Sequence, residues 1–282
     1  MTTITIFTNF YINSEENFLR MKDSFFSFYK IDSNEWIVNI RGSYKNEAHV
    51  FLNSMLGKKA LITTNESGKG WFFDTRLMLN NITSDYILYW VEDHINTATI
   101  STIHKILEEM RMYNVDYLCS SWWQYYKKNN PYKNISVSKY KYIDVINIDK
   151  SNIKKILNVD KDYYLISSLG LFSTALFRKI INTNHPILRR WPKETPFDLE
   201  KRGVDTQWLP IRCAIPVKEI FAPIDDDLGG IQGVSLQSRN LYPKRELRMS
   251  PKIYINPKLK LLTKFKLGNK FLILIRRIGY HL

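Results

Sequence analysis

Residues 84–94, SDYILYWVEDH, run from an apolar segment directly into a glutamate, an aspartate and a histidine. The apolar part, residues 86–91, predicts a buried strand. Glu92 and Asp93 are expected at the end of that strand, where carboxylate oxygens suit hard cations such as Mg²⁺ or Mn²⁺. Such ions commonly bind nucleotide phosphates, so a nucleotide-dependent enzyme is the hypothesis to test. The alternative is a solvated turn, or the first turn of the next helix.

Around this stretch, the first half of the chain alternates strand-like and helix-like segments. The predicted strands are residues 4–10, 36–40, 60–64, 86–91 and 116–120, and the predicted helices are residues 14–29, 47–56, 71–81 and 97–113. This alternation predicts an α/β fold with a mostly parallel sheet and helices on both faces. Ligands of such sheets bind at the carboxyl ends of the strands. That edge is expected to carry Thr8, Asn9, Arg41, residues 65–70 and residues 92–94.

The second half of the chain is less regular. Residues 121–141 are aromatic and polar and are predicted to form a loop. A strand is predicted at residues 144–148, followed by helices at 149–157 and 173–182. A boundary near residues 244–257 is predicted to separate a C-terminal tail, because prolines and charges cluster there.

The composition indicates a globular protein rather than a disordered one, since 44% of the 282 residues are hydrophobic. The opening residues, MTTITIFTNF, read as a strand, and no apolar run approaches the ~18 residues that a membrane span needs. We therefore expect no secretory signal and a cytoplasmic protein. The two cysteines, Cys119 and Cys213, lie in apolar runs without metal-ligand spacing and are expected to be buried, inert thiols.

The positive charge of the chain is concentrated at its C-terminus. Residues 239–282 contain twelve Lys or Arg and one acidic residue, so they carry +11 of the formal net charge of +14. Residues 252–282 interleave these cations with Leu, Ile and Phe, which is typical of a basic amphipathic helix. Such a segment binds an anionic membrane surface or packs on its own domain with its lysines solvated.

The spacing of the motifs resembles the nucleotide-sugar half of GT-A type glycosyltransferases. The resemblance is carried by Arg41 in NIRG, Asn65 with the GKG of residues 68–70, the following helix, and SDYILYWVEDH. In that family a similar segment ends in a metal-binding DxD-like motif. The resemblance therefore implies that Asp93, with Glu92 beside it, binds a divalent metal, Mn²⁺ or Mg²⁺, and the donor diphosphate. This chain has EDH instead, and His94 is either a further metal ligand or a polar surface residue.

What the resemblance implies for the whole chain is a GT-A-like fold and metal-dependent sugar transfer from a nucleotide sugar to a saccharide or lipid-linked acceptor. The expected setting is the synthesis of bacterial surface polysaccharide: capsule, lipopolysaccharide or O-antigen. Residues 1–120 would bind the donor, residues 121–243 would form the acceptor-side half of the same domain, and residues 244–282 the basic tail. The candidate donor-binding residues are Thr8, Asn9, Arg41, Asn65, Lys69, Glu92, Asp93 and Arg239.

Residues 195–208, TPFDLEKRGVDTQW, resemble the acceptor-side segment of inverting enzymes of this family. Transfer with inversion needs one base to take the proton from the acceptor hydroxyl. The resemblance implies Glu200 as that base, with Asp198 second and Asp205 third. The alternative is that these carboxylates only stabilise the first turn of a helix.

Two further features leave alternatives open. The aromatic run that includes Trp122, Trp123, Tyr125 and Tyr126 either stacks on sugar rings or packs in the core. The glycine-rich stretch before the tail, with Arg239, is either a lid over the diphosphate or a solvated loop.

The competing functions are a nucleic-acid-binding protein that uses the basic tail, and a nucleotidyltransferase on the same fold. The near-neutral charge before residue 239 argues against nucleic acid as a partner.

Overall fold

The computed structural model describes residues 3–120, 123–161, 163–167, 169–183, 208–225 and 233–242. These residues form the following strands and α-helices, in chain order: β1 (Ile4–Tyr11), α1 (Glu15–Phe28), β2 (Glu35–Arg41), α2 (Lys45–Leu56), β3 (Ala60–Thr63), α3 (Trp71–Met78), β4 (Tyr86–Tyr89), β5 (His94–Asn96), α4 (Ile100–Met112), β6 (Tyr117–Cys119), α5 (Trp123–Asn129), β7 (Val137–Lys139), β8 (Ile143–Ile148), α6 (Lys150–Val159), β9 (Gly170–Ser173), α7 (Thr174–Asn182), β10 (Ile211–Pro216) and β11 (Phe221–Pro223).

The described residues form one nine-stranded sheet in the order β3-β2-β1-β4-β9-β6-β10-β8-β7, and a two-stranded sheet of β5 and β11. In the large sheet, seven strands run in one direction, while β9 and β8 run against their neighbours. The predicted α/β class with a mostly parallel sheet is therefore confirmed. The four strands β3, β2, β1 and β4 are mutually parallel, so their carboxyl ends meet at one edge.

The central strands are buried on both sides, as the crossover helices of a parallel sheet require. Along β1, seven of the eight residues are buried, and all four residues of β4 are. One core cluster packs α1, α2 and α4 on one face of the sheet, with Phe25, Leu52 and Ile103 in contact with it. The other packs α3, α6 and α7 on the opposite face, through Phe72, Ile153 and Phe177. The predicted helices on both faces are thereby confirmed.

The predicted elements of the first half are present, with ends that shift by at most three residues. The largest shifts are at α3, which ends at Met78 instead of residue 81, and at α4, which begins at Ile100 instead of residue 97. Thr99 caps the helix, since its hydroxyl accepts the backbone N–H of Thr102 at 3.2 Å. The three residues His94–Asn96 pair with β11 as strand β5, which the sequence analysis did not anticipate.

The second half departs more from the prediction. The predicted loop at residues 121–141 contains helix α5 and strand β7. Strand β9 was missed, and it lies between β4 and β6 although it comes after both in the chain. Its fit depends on Gly170, because a Cβ there would lie 2.6 Å from Cε2 of Tyr117. The predicted strand at 144–148 and helices at 149–157 and 173–182 correspond to β8, α6 and α7.

Both cysteines are buried, as predicted, and neither forms a disulfide. Within the described part of the chain, no helix is long and apolar enough to cross a membrane. The basic tail predicted at residues 244–282 lies outside the described residues.

Candidate functional site

The carboxyl ends of β1, β2 and β3 carry a row of polar side chains. Asn9 pairs in register with Asn39, and Asn39 pairs with Thr63, so the three residues lie side by side across the sheet. Trp90, the residue after β4, donates its backbone N–H to the carbonyl of Phe7 at 2.8 Å. The end of β4 therefore lies beside β1 close to Asn9. Open α/β sheets bind ligands in the crevice outside such strand ends.

Asn39 is completely buried and is fully hydrogen-bonded. Its amide nitrogen donates to Oδ1 of Asn9 at 3.0 Å and to the carbonyl of Asn65 at 2.8 Å. Its Oδ1 accepts the hydroxyl of Thr63 and the backbone N–H of Asn65, both at 2.8 Å. A buried amide of this kind remains stable only when every polar atom has a partner. Asn39 therefore ties the loop after β3 to the end of β1.

Asn9 extends this network to helix α3. Its Nδ2 donates to the hydroxyl of Thr75 at 2.9 Å and to the carbonyl of Trp71 at 3.3 Å. The indole N–H of Trp71 donates back to the Asn9 carbonyl at 3.1 Å. The side chain of Asn9 is thus used within the protein, and any contact it makes with a donor would be indirect.

Arg41 ends β2 at the edge of the sheet and is held over the network. Its Nε donates to Oδ1 of Asn9 at 2.9 Å, and its guanidinium carbon lies 5.6 Å from the ring centre of Tyr11. Tyr11 is the last residue of β1 and is 48% exposed. An exposed aromatic ring beside an oriented guanidinium is an arrangement that can contact a nucleobase and a phosphate.

The loop of residues 64–70 follows β3 at the same edge. Asn65 is exposed, while its backbone N–H and carbonyl are both bonded to Asn39. Gly68 and Gly70 have φ values of +74° and +107°, which side-chain-bearing residues rarely adopt. Lys69 is exposed between them, with its Nζ 4.5 Å from the ring centre of Phe73. The loop therefore presents an amide and a cation just before the N-terminus of α3.

Glu92, Asp93 and His94 form the turn that leads from β4 to β5. The carbonyl of Asp93 accepts the backbone N–H of Ile224 at 2.8 Å, which anchors the turn to the residues after β11. Oδ1 of Asp93 and Nδ1 of His94 are 2.7 Å apart. The Asp93 side chain is 40% exposed, whereas that of His94 is 13% exposed. Asp93 is thus the more accessible member of the pair.

The two carboxylates of this turn titrate differently. Burial, and then the charge of Asp93, raise the pKa of Glu92 to about 7. Burial acts in the same direction on Asp93, but the charge and hydrogen bond of His94, the backbone and Arg20 outweigh it and lower the pKa of Asp93 below its usual value. Asp93 is therefore the carboxylate that stays ionised at neutral pH.

The positive charge of Arg20, on helix α1, acts on the carboxylates of Glu92 and Asp93 in this turn. Its Nε lies 2.7 Å from Oε1 of Glu16 and its Nη2 lies 2.8 Å from Oδ2 of Asp225. Asp225 follows Ile224, the residue whose N–H holds the Asp93 carbonyl. Arg20 thus connects helix α1 to the segment that supports the Glu92–His94 turn.

The donor set at the turn fits a hard divalent cation. An ionised, partly exposed carboxylate at Asp93 is an oxygen ligand of the kind that Mn²⁺ and Mg²⁺ take. In the described part of the chain, no three His, Cys, Asp or Glu side chains converge as a metal-binding group. A metal at Asp93 would therefore take further ligands from phosphate oxygens and water, which is usual for Mg²⁺. Nδ1 of His94 is directed at Asp93, the position of a group that orients a ligand.

Two predicted donor residues are placed away from the edge. Thr8 lies three residues before the end of β1, which runs to Tyr11, and its side chain is 1% exposed in the core. Thr8 therefore presents no side-chain atom at that edge, and a contact of its backbone with a donor stays a prediction. Arg239 forms an ion pair with Glu219 at 2.7 Å. Glu219 precedes β11 at the Asn96 end of β5, the end opposite to Asp93.

The structure joins Arg41 to Asn9 by a direct hydrogen bond and Asn65 to Asn9 through Asn39, with Lys69 on the same loop as Asn65. Glu92, Asp93 and His94 lie at the end of the adjacent strand β4. The candidate bases Glu200, Asp198 and Asp205 lie outside the described residues.

Asn39, Tyr11 and Arg20 are not among the predicted site residues. A signal for Asn39 was available, because an amide in the apolar run WIVNIR needs buried partners. Tyr11 was missed because β1 was predicted to end one residue earlier. The contact of Arg20 with Asp225 gave no signal, since the two residues are 205 positions apart in the chain.

No protein-family model matches the chain, and no curated protein matches it. Three crystal structures of S. aureus TarS resemble its fold, each over 78% of this chain. TarS 1–349 has a TM-score of 0.48 at 11% identity, and TarS 1–349 in complex with UDP has 0.44 at 13% identity. A further structure of TarS has 0.46 at 13% identity. The chain covers 60%, 60% and 36% of these three chains, respectively, which is less than two thirds of each.

Proposed function

We propose that this chain is a glycosyltransferase that moves a sugar from a nucleotide-sugar donor to a saccharide or lipid-linked acceptor. The observation that carries the proposal is Asp93, an ionised and 40% exposed carboxylate at the carboxyl end of β4. Arg41 and Asn65 lie at the ends of the strands on the other side of β1. The guanidinium of Arg41 and the amide of Asn65 thus lie on one side of the crevice at the strand ends, and the carboxylate of Asp93 lies on the other. Such an arrangement suits a diphosphate with a bound metal ion.

In this proposal the nucleotide lies along the ends of β1, β2 and β3. The exposed ring of Tyr11 stacks on the base, and the guanidinium of Arg41 donates to a phosphate or to the base edge. Lys69, at the mouth of helix α3, adds positive charge for the diphosphate. The Asn9–Asn39 pair does not touch the donor, and its role is to hold Arg41 and the 65–70 loop in position.

A divalent cation, Mn²⁺ or Mg²⁺, supplies charge neutralisation on the leaving nucleoside diphosphate when bound. Asp93 would hold that cation through its carboxylate. His94 would orient the carboxylate through its Nδ1, which lies 2.7 Å from Oδ1 of Asp93. Glu92, whose pKa is raised, would stay closer to neutral than Asp93.

The transfer is proposed to invert the anomeric centre. A carboxylate, Glu200 first and Asp198 second, takes the proton of the acceptor hydroxyl as its oxygen attacks the anomeric carbon. The bond from that carbon to the phosphate oxygen breaks, and the nucleotide leaves with the electron pair. Both residues lie outside the described residues, so this assignment rests on the resemblance of residues 195–208 alone.

The biological setting is proposed to be bacterial surface polysaccharide synthesis. The basic segment 252–282 would then attach the enzyme to an anionic membrane surface that carries lipid-linked acceptors. This segment lies outside the described residues. Removing it should reduce binding to vesicles that contain anionic lipid and leave donor hydrolysis unchanged.

The proposal is tested by product analysis of the full chain with UDP, GDP, CMP and TDP sugars, with Mn²⁺ or with EDTA. Release of a nucleotide together with a free or transferred sugar supports it. Release of pyrophosphate from a sugar phosphate and a nucleoside triphosphate would instead make the chain a nucleotidyltransferase. Glu200→Gln or Asp198→Asn should slow transfer by about 10²–10⁴-fold while donor binding persists.

A further inference from the structure

A cavity lies at the side of the large sheet formed by β10, β8 and β7. It has a volume of about 580 Å³. Helix α5 and the residues after it form its wall, and we call it the Trp123 groove after Trp123, one of its lining residues. Cavities of this size are typical of small-molecule and oligosaccharide sites. The lining residues used below are Trp123, Tyr126, Lys127, Tyr132, Lys133 and Lys139.

The aromatic wall of the Trp123 groove is held in place. The indole N–H of Trp123 donates to the carbonyl of Pro216 at 2.7 Å, which fixes the ring against the end of β10. Tyr126 and Tyr132 are buried, and the hydroxyl of Tyr132 donates to that of Tyr163 at 3.2 Å. The groove is thus a preformed surface with one partly exposed indole, not a collapsed loop.

The charge of the Trp123 groove is positive. Lys127, Lys133 and Lys139 line it and are exposed, whereas Asp144 is the one acidic residue among its described lining residues. Nζ of Lys127 lies over one face of the Trp123 ring, 4.6 Å from its centre, so a sugar ring would stack on the opposite face. A cation beside an aromatic ring suits a ligand that offers an apolar face and a negative charge together.

The groove and the candidate donor site open at the same edge of the sheet. Trp123 follows the carboxyl end of β6, and Val217 follows the carboxyl end of β10. β10 lies three strands from β4, which at the usual strand spacing is roughly 14 Å. An oligosaccharide, but not a single sugar, could reach from one to the other.

We propose that the Trp123 groove binds an anionic segment of a saccharide, with one sugar ring on Trp123 and its carboxylate or phosphate groups on the lysines. Its assignment as a remote acceptor subsite rests on the proposed function. The binding itself does not, because it needs neither donor nor metal.

The groove fits a saccharide better than a nucleic acid. Strands of nucleic acid are bound by a series of exposed aromatic faces on which successive bases stack. Here Tyr126 and Tyr132 are 4% and 5% exposed, so they offer no face, and Tyr140 is stacked on Tyr113 at 3.6 Å between ring centres. Trp123 alone remains as a platform among the described aromatic residues of the groove.

The test is calorimetric titration of the full chain, in EDTA and without nucleotide, with four probes. These are a short oligogalacturonate for carboxylate, a phosphorylated oligomannoside for phosphate, a neutral malto-oligosaccharide and a single-stranded oligonucleotide. The expected result is that one of the two anionic saccharides binds, and that Lys127→Ala/Lys133→Ala weakens it about tenfold or more. The matched control, Lys154→Ala/Lys155→Ala on the exposed face of α6, should bind as the wild type does.

Equal weakening by the α6 control, or no binding of either anionic saccharide, would overturn the proposal. Equal binding of the neutral saccharide would overturn its anionic class, and a preference for the oligonucleotide would overturn its saccharide class. If the Trp123 groove binds no saccharide, the chain should still hydrolyse the donor. If the chain is not a glycosyltransferase, no donor is hydrolysed, but the saccharide titration should give the same result.

Discussion

Asn39 donates from Nδ2 to Oδ1 of Asn9 at 3.0 Å, between two neighbouring central strands. The same Oδ1 accepts Nε of Arg41 at 2.9 Å. A buried amide pair therefore sets the direction of the guanidinium that we place on the donor. Asn39 can therefore be tested through the free energy of unfolding, and Arg41, which its partner Asn9 orients, through nucleotide binding.

Replacing Asn39 by leucine should destabilise the chain strongly. The substitution conserves volume but leaves the hydroxyl of Thr63, Oδ1 of Asn9 and the backbone of Asn65 short of partners. Unsatisfied buried groups cost about 1–3 kcal/mol each, so the free energy of unfolding should fall by on the order of 3 kcal/mol. Urea unfolding measures this, and Asn147→Leu on the exposed side of β8 should change it little. Equal losses in both variants would contradict the network's role.

Replacing Arg41 by alanine should weaken nucleotide binding with little effect on stability. Arg41 is partly exposed at the end of β2 and makes one hydrogen bond to Asn9. Loss of a charge-assisted phosphate contact corresponds to about tenfold in Kd. Titration with the nucleotide found by the donor screen measures the effect. Arg111→Ala, at the exposed end of α4, is the control and should bind normally.

The Glu92→Gln variant should alter the pH dependence of stability. The pKa of Glu92 is raised to about 7 from an ordinary 4.5, so between these values the folded chain holds a proton that the unfolded chain has lost. The free energy of unfolding of the wild type should therefore fall as pH rises through that window. In EDTA, Glu92→Gln should be more stable than wild type by on the order of 1–2 kcal/mol at pH 8 and similar to it at pH 4. A constant difference at both pH values would argue against the raised pKa.

Replacing Arg20 by methionine should destabilise the chain by about 3–5 kcal/mol. The change removes the Arg20 cation from beside the carboxylates of Glu16 and Asp225, whose side chains are 12% and 7% exposed. It also removes one of the charges that lower the pKa of Asp93. Lys30→Met, on the exposed end of the same α1 region, serves as the control in a thermal unfolding experiment. A small loss in both variants would show that the buried ion pairs contribute little.

Most of the fold was predictable because parallel strands buried on both faces leave a clear pattern of apolar runs and amphipathic helices. The five strands predicted before residue 121 are present, as are the four helices. Strand β9 was not predictable in the same way, because its position between β4 and β6 depends on the close approach of Gly170 to Tyr117. A contact of that kind between distant residues leaves no periodic pattern in the local sequence.

The candidate site was predictable where the polar residue follows an apolar strand, as with Arg41 and Asp93. It was not predictable where the role of a residue depends on the face of the sheet to which its side chain points. Thr8 and Asn9 are neighbours, yet Thr8 points into one core and Asn9 into the polar network on the other side. A strand that ends one residue later than expected also moved the edge to Tyr11.

The central claim is that Asp93 holds a metal–nucleotide complex, and a thermal-shift assay of Asp93→Asn tests it directly. Asparagine keeps an oxygen that can accept from His94 but removes the charge that a hard cation needs. We expect one nucleotide to raise the Tm of the wild type only with Mn²⁺ or Mg²⁺, and this rise to vanish in Asp93→Asn but persist in the exposed control Asp32→Asn. An equal, metal-dependent rise in Asp93→Asn, or no rise in the wild type with any nucleotide, would contradict the account.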